Sequence, residues 1–370
     1  MQSTAYKNEQ LKRSFYRYLT NAKRFSPVSV RCFEKAIWIW EDFSEVTDFT
    51  TFNESKVIKF KDWLKSKNKK SGTGKVSLSY CYDNLRYLKV FFEWLSKQNG
   101  YRSKIDPTAI EYMNLTKAET REATQPKNPQ SPSLLEVKTV IESIKDSSEI
   151  EKRDKALISL ALLTGARISA LTSLPIKSFD RQRLILDQNP KLGVKTKFNK
   201  RIVSAFIPLS YDKPKEYFLN WFDYLVNQKG FKPSDPIFPA TKLESGTENL
   251  GYYSNGEVGA DFWKSTTATR NIFTKRFIAA GIPYYHPHTF RHLLVKEISK
   301  LPLTEEQKKA FSQNLGHEDV GTTFGNYGYG KIDENKQIEI INKISFNNEG
   351  NAGDLTKAQI LKLIDSRLPD

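Results

Sequence analysis

HPHTFRH at residues 286–292 and NLGHEDVGTTFGNYGYG at residues 314–330 are the two stretches on which the reading of this chain turns. All four histidines of the 370 residues, His286, His288, His292 and His317, fall inside them. Random scatter would rarely do this. Apolar spacing predicts helices over 290–300 and 305–315, and Gly316 predicts a turn after the second. That arrangement lets several imidazoles line one cleft. Arg291 stands among them, and a guanidinium is the side chain best matched to phosphate oxygens. A glycine-rich run holding Tyr327 and Tyr329 follows.

Working upstream, LLTGARISALTSL at residues 162–174 closes a helix predicted over 154–163. That helix should stop at Thr164-Gly165 and resume at about Ile168, which presents Arg167 at a helix junction. Taken alone, such an arginine is more often a surface or salt-bridge residue. Short strand-like runs at 183–186 and 202–208 flank the lysine-rich KLGVKTKFNKR at 191–201, and helical patterns return over 217–226 and 266–280. Ser133 and Glu136 have capping-box spacing, opening a helix that runs to about Ile144. This half is expected to be mostly α with a small β-sheet.

Residues 116–132, TKAETREATQPKNPQSP, hold three prolines and little that could enter a core, which reads as an interdomain linker. Before it, residues 9–115 are helical, with Phe33, Ile37, Trp40 and Phe43, then Leu85, Leu88, Phe92 and Leu95, at turn spacing. A small helical bundle is expected there. Its connection SKNKKSGTGK, residues 66–75, reads either as a loop on DNA phosphates or as a solvated loop. It is not a nucleotide loop, because Val76 follows Lys75 where Ser or Thr is needed and the glycine spacing is wrong. The expected organisation is therefore a bundle at 1–115, a linker at 116–132, a second domain at 133–345 and a tail at 346–370. The tail's amphipathic stretch 355–368 is a candidate subunit contact or a fraying end.

Lysine and arginine number 58 against 42 acidic residues, a net charge of +16, and residues 1–125 alone carry 23 basic and 14 acidic side chains. Both halves favour a polyanion, which leaves nucleic acid, an anionic membrane surface or acidic proteins. Cys32 and Cys81 lie far apart and in no metal-ligand spacing, so neither a disulfide framework nor a zinc site is indicated and a reducing compartment is expected. The N-terminus lacks a signal pattern, and no run approaches the ~18 apolar residues of a membrane span. The expected location is the cytoplasm, without membrane contact.

The boxes LLTGARISALTSL, HPHTFRH and LGHEDVGTTFGNYG, in that order, resemble the first arginine box, the His-x-x-Arg box and the Leu-Gly-His box with downstream tyrosine of the tyrosine recombinases of the phage-integrase family. The resemblance covers about residues 133–345. The N-terminal bundle is more weakly similar to the family's SAM-like core-binding domain. What the resemblance implies is a site-specific DNA recombinase, or integrase, that breaks and rejoins strands through a 3′-phosphotyrosyl intermediate. Arg167 and Arg291 would clamp the scissile phosphate, His317 would add a hydrogen bond, His288 would assist proton transfer, and Tyr327 would attack. The spacing of ten from His317 favours Tyr327 over Tyr329. A hairpin lysine would protonate the leaving 5′-oxygen; Lys195 is favoured, with Lys197 and Lys200 as neighbours whose register the sequence leaves open. His286 and His292 read as packing residues or as residues that support the site from behind, rather than as catalysts. The phosphotyrosine keeps the bond energy, so no ATP, metal or other cofactor is expected.

As partners the family implies double-stranded DNA held in a two-domain clamp and four protomers on two sites, and it leaves room for accessory DNA-bending proteins. Integration or excision of a mobile element is the implied biology. One departure stands out: Ala170, three residues after Arg167, occupies a position where the family often has an acid. Two other readings keep the fold, a type IB topoisomerase-like enzyme and a catalytically silent architectural DNA-binding protein. Loss of the nucleophile or of an arginine would mark the second, and all are present in this chain.

Overall fold

The computed structural model describes residues 3–69, 72–125, 130–245, 252–326 and 337–338. The chain divides into two compact units, Met1–Pro126 and Lys127–Asp370.

Among its described residues the first unit carries α1 (Thr4–Asn21), α2 (Pro27–Ser44), α3 (Glu54–Ser66), α4 (Leu78–Leu95), α5 (Pro107–Glu111) and α6 (Lys117–Thr124). Ser3, Ser26, Asn53 and Ser77 precede the first four, and each side-chain oxygen accepts a hydrogen bond from a first-turn N–H. Such caps satisfy donors that a helix start leaves open. The aromatics expected at turn spacing converge in one core. Trp40 meets Phe60 and Phe92 edge to face, with ring centroids 4.9 and 5.2 Å apart. Each such pair adds about 0.5–1.5 kcal/mol beyond the area it buries.

The segment expected to be a linker from residue 116 is helical in its first half. Thr116 and Glu119 form a full capping box that starts α6, Glu119 pairs with Lys65 of α3, and Ala123 is buried. Composition pointed to a linker because α6 inserts so little apolar surface; its caps and an ion pair hold it. The lysine-rich connection at 66–75 is also partly engaged. The Lys67 ammonium lies 2.7 Å from an Asp42 carboxylate oxygen and 3.8 Å from the Trp63 ring centroid.

The second unit carries α7 (Leu134–Ser143), α8 (Glu149–Thr164), α9 (Ile168–Leu171), β1 (Phe179–Asp180), β2 (Ile185–Gln188), β3 (Ile202–Ala205), α10 (Lys213–Asp223), β4 (Glu244–Ser245), β5 (Tyr252–Tyr253), α11 (Thr266–Ala279), α12 (Thr289–Ile298), α13 (Glu305–Asn314) and α14 (Val320–Asn326). The architecture is mostly α with a small sheet, as the periodicities predicted. The Ser133–Glu136 capping box forms: Glu136 N–H donates to Ser133 Oγ at 3.2 Å and Ser133 N–H to the Glu136 carboxylate at 2.7 Å. Every residue of α8 from Arg153 to Thr164 is buried, so this helix has no solvent stripe and forms the centre of the unit. It begins earlier than the expected 154 because Ser148 caps it. Phe218 and Trp221 of α10 share its core, and the Trp221 indole donates to the Ile237 carbonyl at 2.8 Å. The buried Asp154 carboxylate binds Arg153 and Arg276, each at 2.8 Å, tying α8 to α11.

Strands β1, β2 and β3 form an antiparallel sheet in chain order, with Leu186 opposite Ser204 and Gln188 opposite Ile202. Those four side chains are buried while their neighbours along the strands are more open, the period-2 pattern of a sheet covered on one face. Strand β1 was not expected, and β2, expected from 183, starts two residues later because Leu184 takes the left-handed conformation at φ 54° and turns the chain. The helix expected over 217–226 begins at Lys213, with Pro214 in its first turn, and passes into a π-helical turn at Tyr224–Gln228. The amphipathic stretch 355–368 lies outside the described residues.

Candidate active site

Gly165 caps α8 at φ 59°, and its N–H donates to the Ala161 carbonyl at 2.9 Å. A side chain would be strained there and would also meet neighbours, because an added Cβ would lie 2.7 Å from Leu315 Cδ2 and 3.0 Å from Leu294 Cδ1. The sharp turn delivers Arg167 to the N-cap of α9, half-buried at the helix junction its sequence implied.

Arg291 lies in the first turn of α12 and is 2% exposed. Its Nη1 donates to the Gly165 carbonyl at 2.7 Å, its Nη2 donates to the Leu315 carbonyl, and Nη2 also donates to His317 Nε2 at 2.8 Å. One guanidinium thus joins the ends of α8 and α13 to the third box. Gly165, more than a hundred residues upstream, and His317, 26 residues downstream, meet at the Arg291 side chain. Ala170 is 1% exposed, and main-chain carbonyls are among the groups that hold Arg291.

His317 follows Gly316, which sits at φ 75° and whose Cβ would collide with the Ile202 side chain of β3. The imidazole is 6% exposed, and its Nδ1 lies 2.8 Å from Thr323 Oγ1 of α14. Burial, then the charges of Arg291 and Arg167, lower its pKa to about 3. His288 is the N-cap of α12, and its pKa falls to about 4 through burial first, then Arg291 and Arg167. Both rings are therefore neutral near pH 7. Two guanidiniums beside neutral imidazoles suit an anion, and a bound phosphate would offset the part of the lowering that comes from the arginine charges, leaving the larger part due to burial.

His292 is 6% exposed on α12, with its ring centroid 6.2 Å from that of His288. His286 is exposed, and its Nδ1 accepts a hydrogen bond from the His288 N–H at 3.2 Å. Of the three hairpin lysines, Lys195 is exposed and its backbone N–H donates to Ser173 Oγ at 2.8 Å, fixing this part of the loop to the segment after α9. Lys197 contributes to the lowered pKa of His317, and Lys200 pairs with Glu318, the residue after His317, at 2.8 Å. Tyr327 and its rival Tyr329 lie outside the described residues, immediately beyond α14.

Three positioning residues were not singled out from the sequence: Ser173, Asn314 and Thr323. Asn314 bonds β3 on both sides of Ala205, accepting from its N–H at 2.7 Å and donating to its carbonyl at 3.1 Å. Nothing in their spacing marks these roles, although Ser173 stands inside the quoted first box, Thr323 inside the third, and Asn314 at the start of the stretch around it. Among the described residues no His, Cys, Asp and Glu cluster of three or more could hold a metal ion, and no helix is long and apolar enough to cross a membrane.

This fold and arrangement define a tyrosine-recombinase type of DNA strand-exchange enzyme, and the chain belongs to the phage integrase family, whose pattern matches residues 134–329. It is similar to the tyrosine recombinase XerC of Lactobacillus delbrueckii subsp. bulgaricus, with 25% identity over 314 residues, 85% of this chain and 92% of that protein. A probable integrase/recombinase of Aquifex aeolicus, aq_aa09, is 26% identical over 268 residues, 64% of this chain and 78% of that one. Among solved structures, the Tn1549 transposon integrase in complex with a circular intermediate DNA superposes with a TM-score of 0.57 at 16% identity, covering 93% of this chain and 100% of that one. The lambda integrase dimer bound to a COC′ core site gives 0.57 at 13% identity, covering 88% and 99%. XerH site-specific recombinase in a post-cleavage complex with a palindromic difH substrate gives 0.57 at 16% identity, covering 90% and 84%. DNA is the partner that this family membership establishes.

Proposed function

We propose that the protein is a site-specific recombinase that integrates or excises a mobile genetic element through a 3′-phosphotyrosyl intermediate formed by Tyr327. The observation that carries this reading is the position of Arg291, bonded at once to the turn before Arg167 and to His317. Attack of the Tyr327 oxygen on phosphorus would form the P–O(Tyr) bond and break the bond to the 5′-oxygen. Negative charge then builds on the non-bridging oxygens, where Arg167, Arg291 and His317 would stabilise it. His288, neutral near pH 7, can take the tyrosine proton, and Lys195 would give a proton to the departing 5′-oxygen. Reversal with a new 5′-hydroxyl rejoins the strand, and no energy source is consumed.

In this reading the helical unit holds the core site, residues 133–345 carry the chemistry, and four protomers act on two DNA sites in the cytoplasm, with DNA-bending proteins as candidate helpers. The transposon integrase among the similar structures supports the mobile-element role. The test uses a nicked duplex bearing the element's end sequence, on which a covalent complex accumulates, followed on a denaturing gel. Wild type should give a covalent band that Tyr327→Phe abolishes and Tyr329→Phe keeps. The reverse pattern would move the nucleophile, and tight binding without any covalent band would put an architectural role in its place. Lys195→Ala should slow cleavage more than Lys197→Ala, and the opposite order would reassign the acid.

A further inference from the structure

Among the described residues, the His317 ring is bonded at Nε2 by Arg291 and at Nδ1 by Thr323, and these partners differ in what they can do. At Nε2 the partner is Arg291 Nη2 at 2.8 Å, and a guanidinium only donates. Nε2 must therefore be the unprotonated nitrogen of a neutral ring. The proton then sits on Nδ1 and is donated to Thr323 Oγ1 at 2.8 Å. The role proposed above for His317 requires the opposite tautomer, because the ring can donate to a phosphate oxygen from Nε2 only if Nε2 carries the proton. Double protonation is disfavoured by burial and by the flanking arginines. A neutral ring with its proton on Nε2 needs a donor at Nδ1.

A hydroxyl is the group that can serve both states, accepting from Nδ1–H in one and donating to bare Nδ1 in the other. Thr323 is 0% exposed, so its place is sheltered from bulk water.

We infer that Thr323 is a positioning residue whose rotating hydroxyl lets His317 keep its proton on Nδ1 in the DNA-free enzyme and carry it on Nε2 when a scissile phosphate draws Arg291 away. The DNA-free site is then self-closed, with Arg291 and His317 satisfying each other. Binding of the phosphate replaces that bond by two bonds to substrate, and the hydroxyl turns over to complete the change. No atom is gained or lost; the ring proton changes nitrogen through exchange with solvent during opening.

This inference rests on the phosphate-donor reading of His317, and its test separates the two. In ¹⁵N-histidine-labelled protein, with His317→Asn used for assignment, the ring ¹⁵N shifts should report Nδ1–H in the free enzyme. They should report Nε2–H in Tyr327→Phe bound to the end-sequence duplex. Thr323→Val should lower the single-turnover rate of covalent-complex formation by about 10–100-fold, the scale of a buried polar atom losing its partner, with DNA affinity kept within about threefold. Thr323→Ser should restore the rate and the tautomer change. An Nε2–H ring in the free enzyme, or a folded Thr323→Val that cleaves at the wild-type rate, would overturn the inference. If Thr323→Val does not fold, the wild-type and Thr323→Ser spectra decide. Wild type that never forms the covalent complex would instead overturn the recombinase reading, while the free-enzyme tautomer would still be measured.

Discussion

At the scale of single residues, burial and neighbouring charge push the site histidines in the same direction. His288 and His317 have pKa values lowered to about 4 and about 3, burial being the larger cause in each and the two arginines the next. An unfolded chain binds these protons near the ordinary histidine value of about 6.5. Between those limits the unfolded state holds more protons than the folded one, so stability is fully present above about pH 6.5 and declines as pH falls through the window. The lowered carboxylates, such as Glu119 at about 2, add their own loss only below the ordinary carboxylate range. Melting followed by circular dichroism at pH 7.5 and 5.0 should therefore show a drop in Tm. That drop should shrink in a His288→Asn, His317→Asn double variant; an equal drop in both proteins would mean that the rings are not held neutral by the site. The sequence displayed these histidines and arginines openly, since their boxes are short and ordered. It was silent on Thr323, because which of two adjacent threonines faces the ring depends on how α14 packs.

At the scale of elements, the β2–β3 hairpin and the turn after α13 behave as one piece. Ser204 Oγ donates to the Asn314 carbonyl at 2.7 Å, the Asn314 side chain bonds both backbone groups of Ala205, and Gly316 lets Ile202 approach. The asparagine amide thereby supplies the pair of bonds that a fourth strand would give. Asn314→Ala should cost about 0.5–1.5 kcal/mol, the net worth of hydrogen bonds whose backbone partners can turn to water, read as a shift of the urea midpoint. Cleavage should fall with it, because the hairpin carries Lys195 and the turn carries His317; an unchanged midpoint and rate would make the contact incidental. Helix interiors were legible through periodicity, and the capping box at Ser133 through its spacing. Starts set by one side chain, such as Ser148 before α8, were not separated from the apolar run that follows them. The start of α6 was missed for a different reason: a polar helix with one buried alanine is indistinguishable in composition from a linker.

At the scale of the whole molecule, charge is the dominant sequence-level property. A net charge of +16 shared by both halves favours phosphate contacts made from each unit. Affinity for duplex DNA should weaken by about 10³-fold or more between 50 and 200 mM salt if six or more phosphates are neutralised, measured by fluorescence anisotropy. A nearly flat salt response would remove electrostatics as the main source of binding. The sequence by itself determined the helical class, the small sheet, the basic character and the family, because these depend on local period, on composition and on three ordered boxes. Only the tertiary structure decided that Arg291 is the hub joining Gly165, Leu315 and His317, and that Asn314 and Thr323 hold the pieces in register. The physical reason is that a hydrogen bond made by a side chain to a group on another element leaves no periodic trace in the sequence. Its geometry is set by the packing of α8, α12 and α13 around a shared core, and that packing exists only in the folded chain.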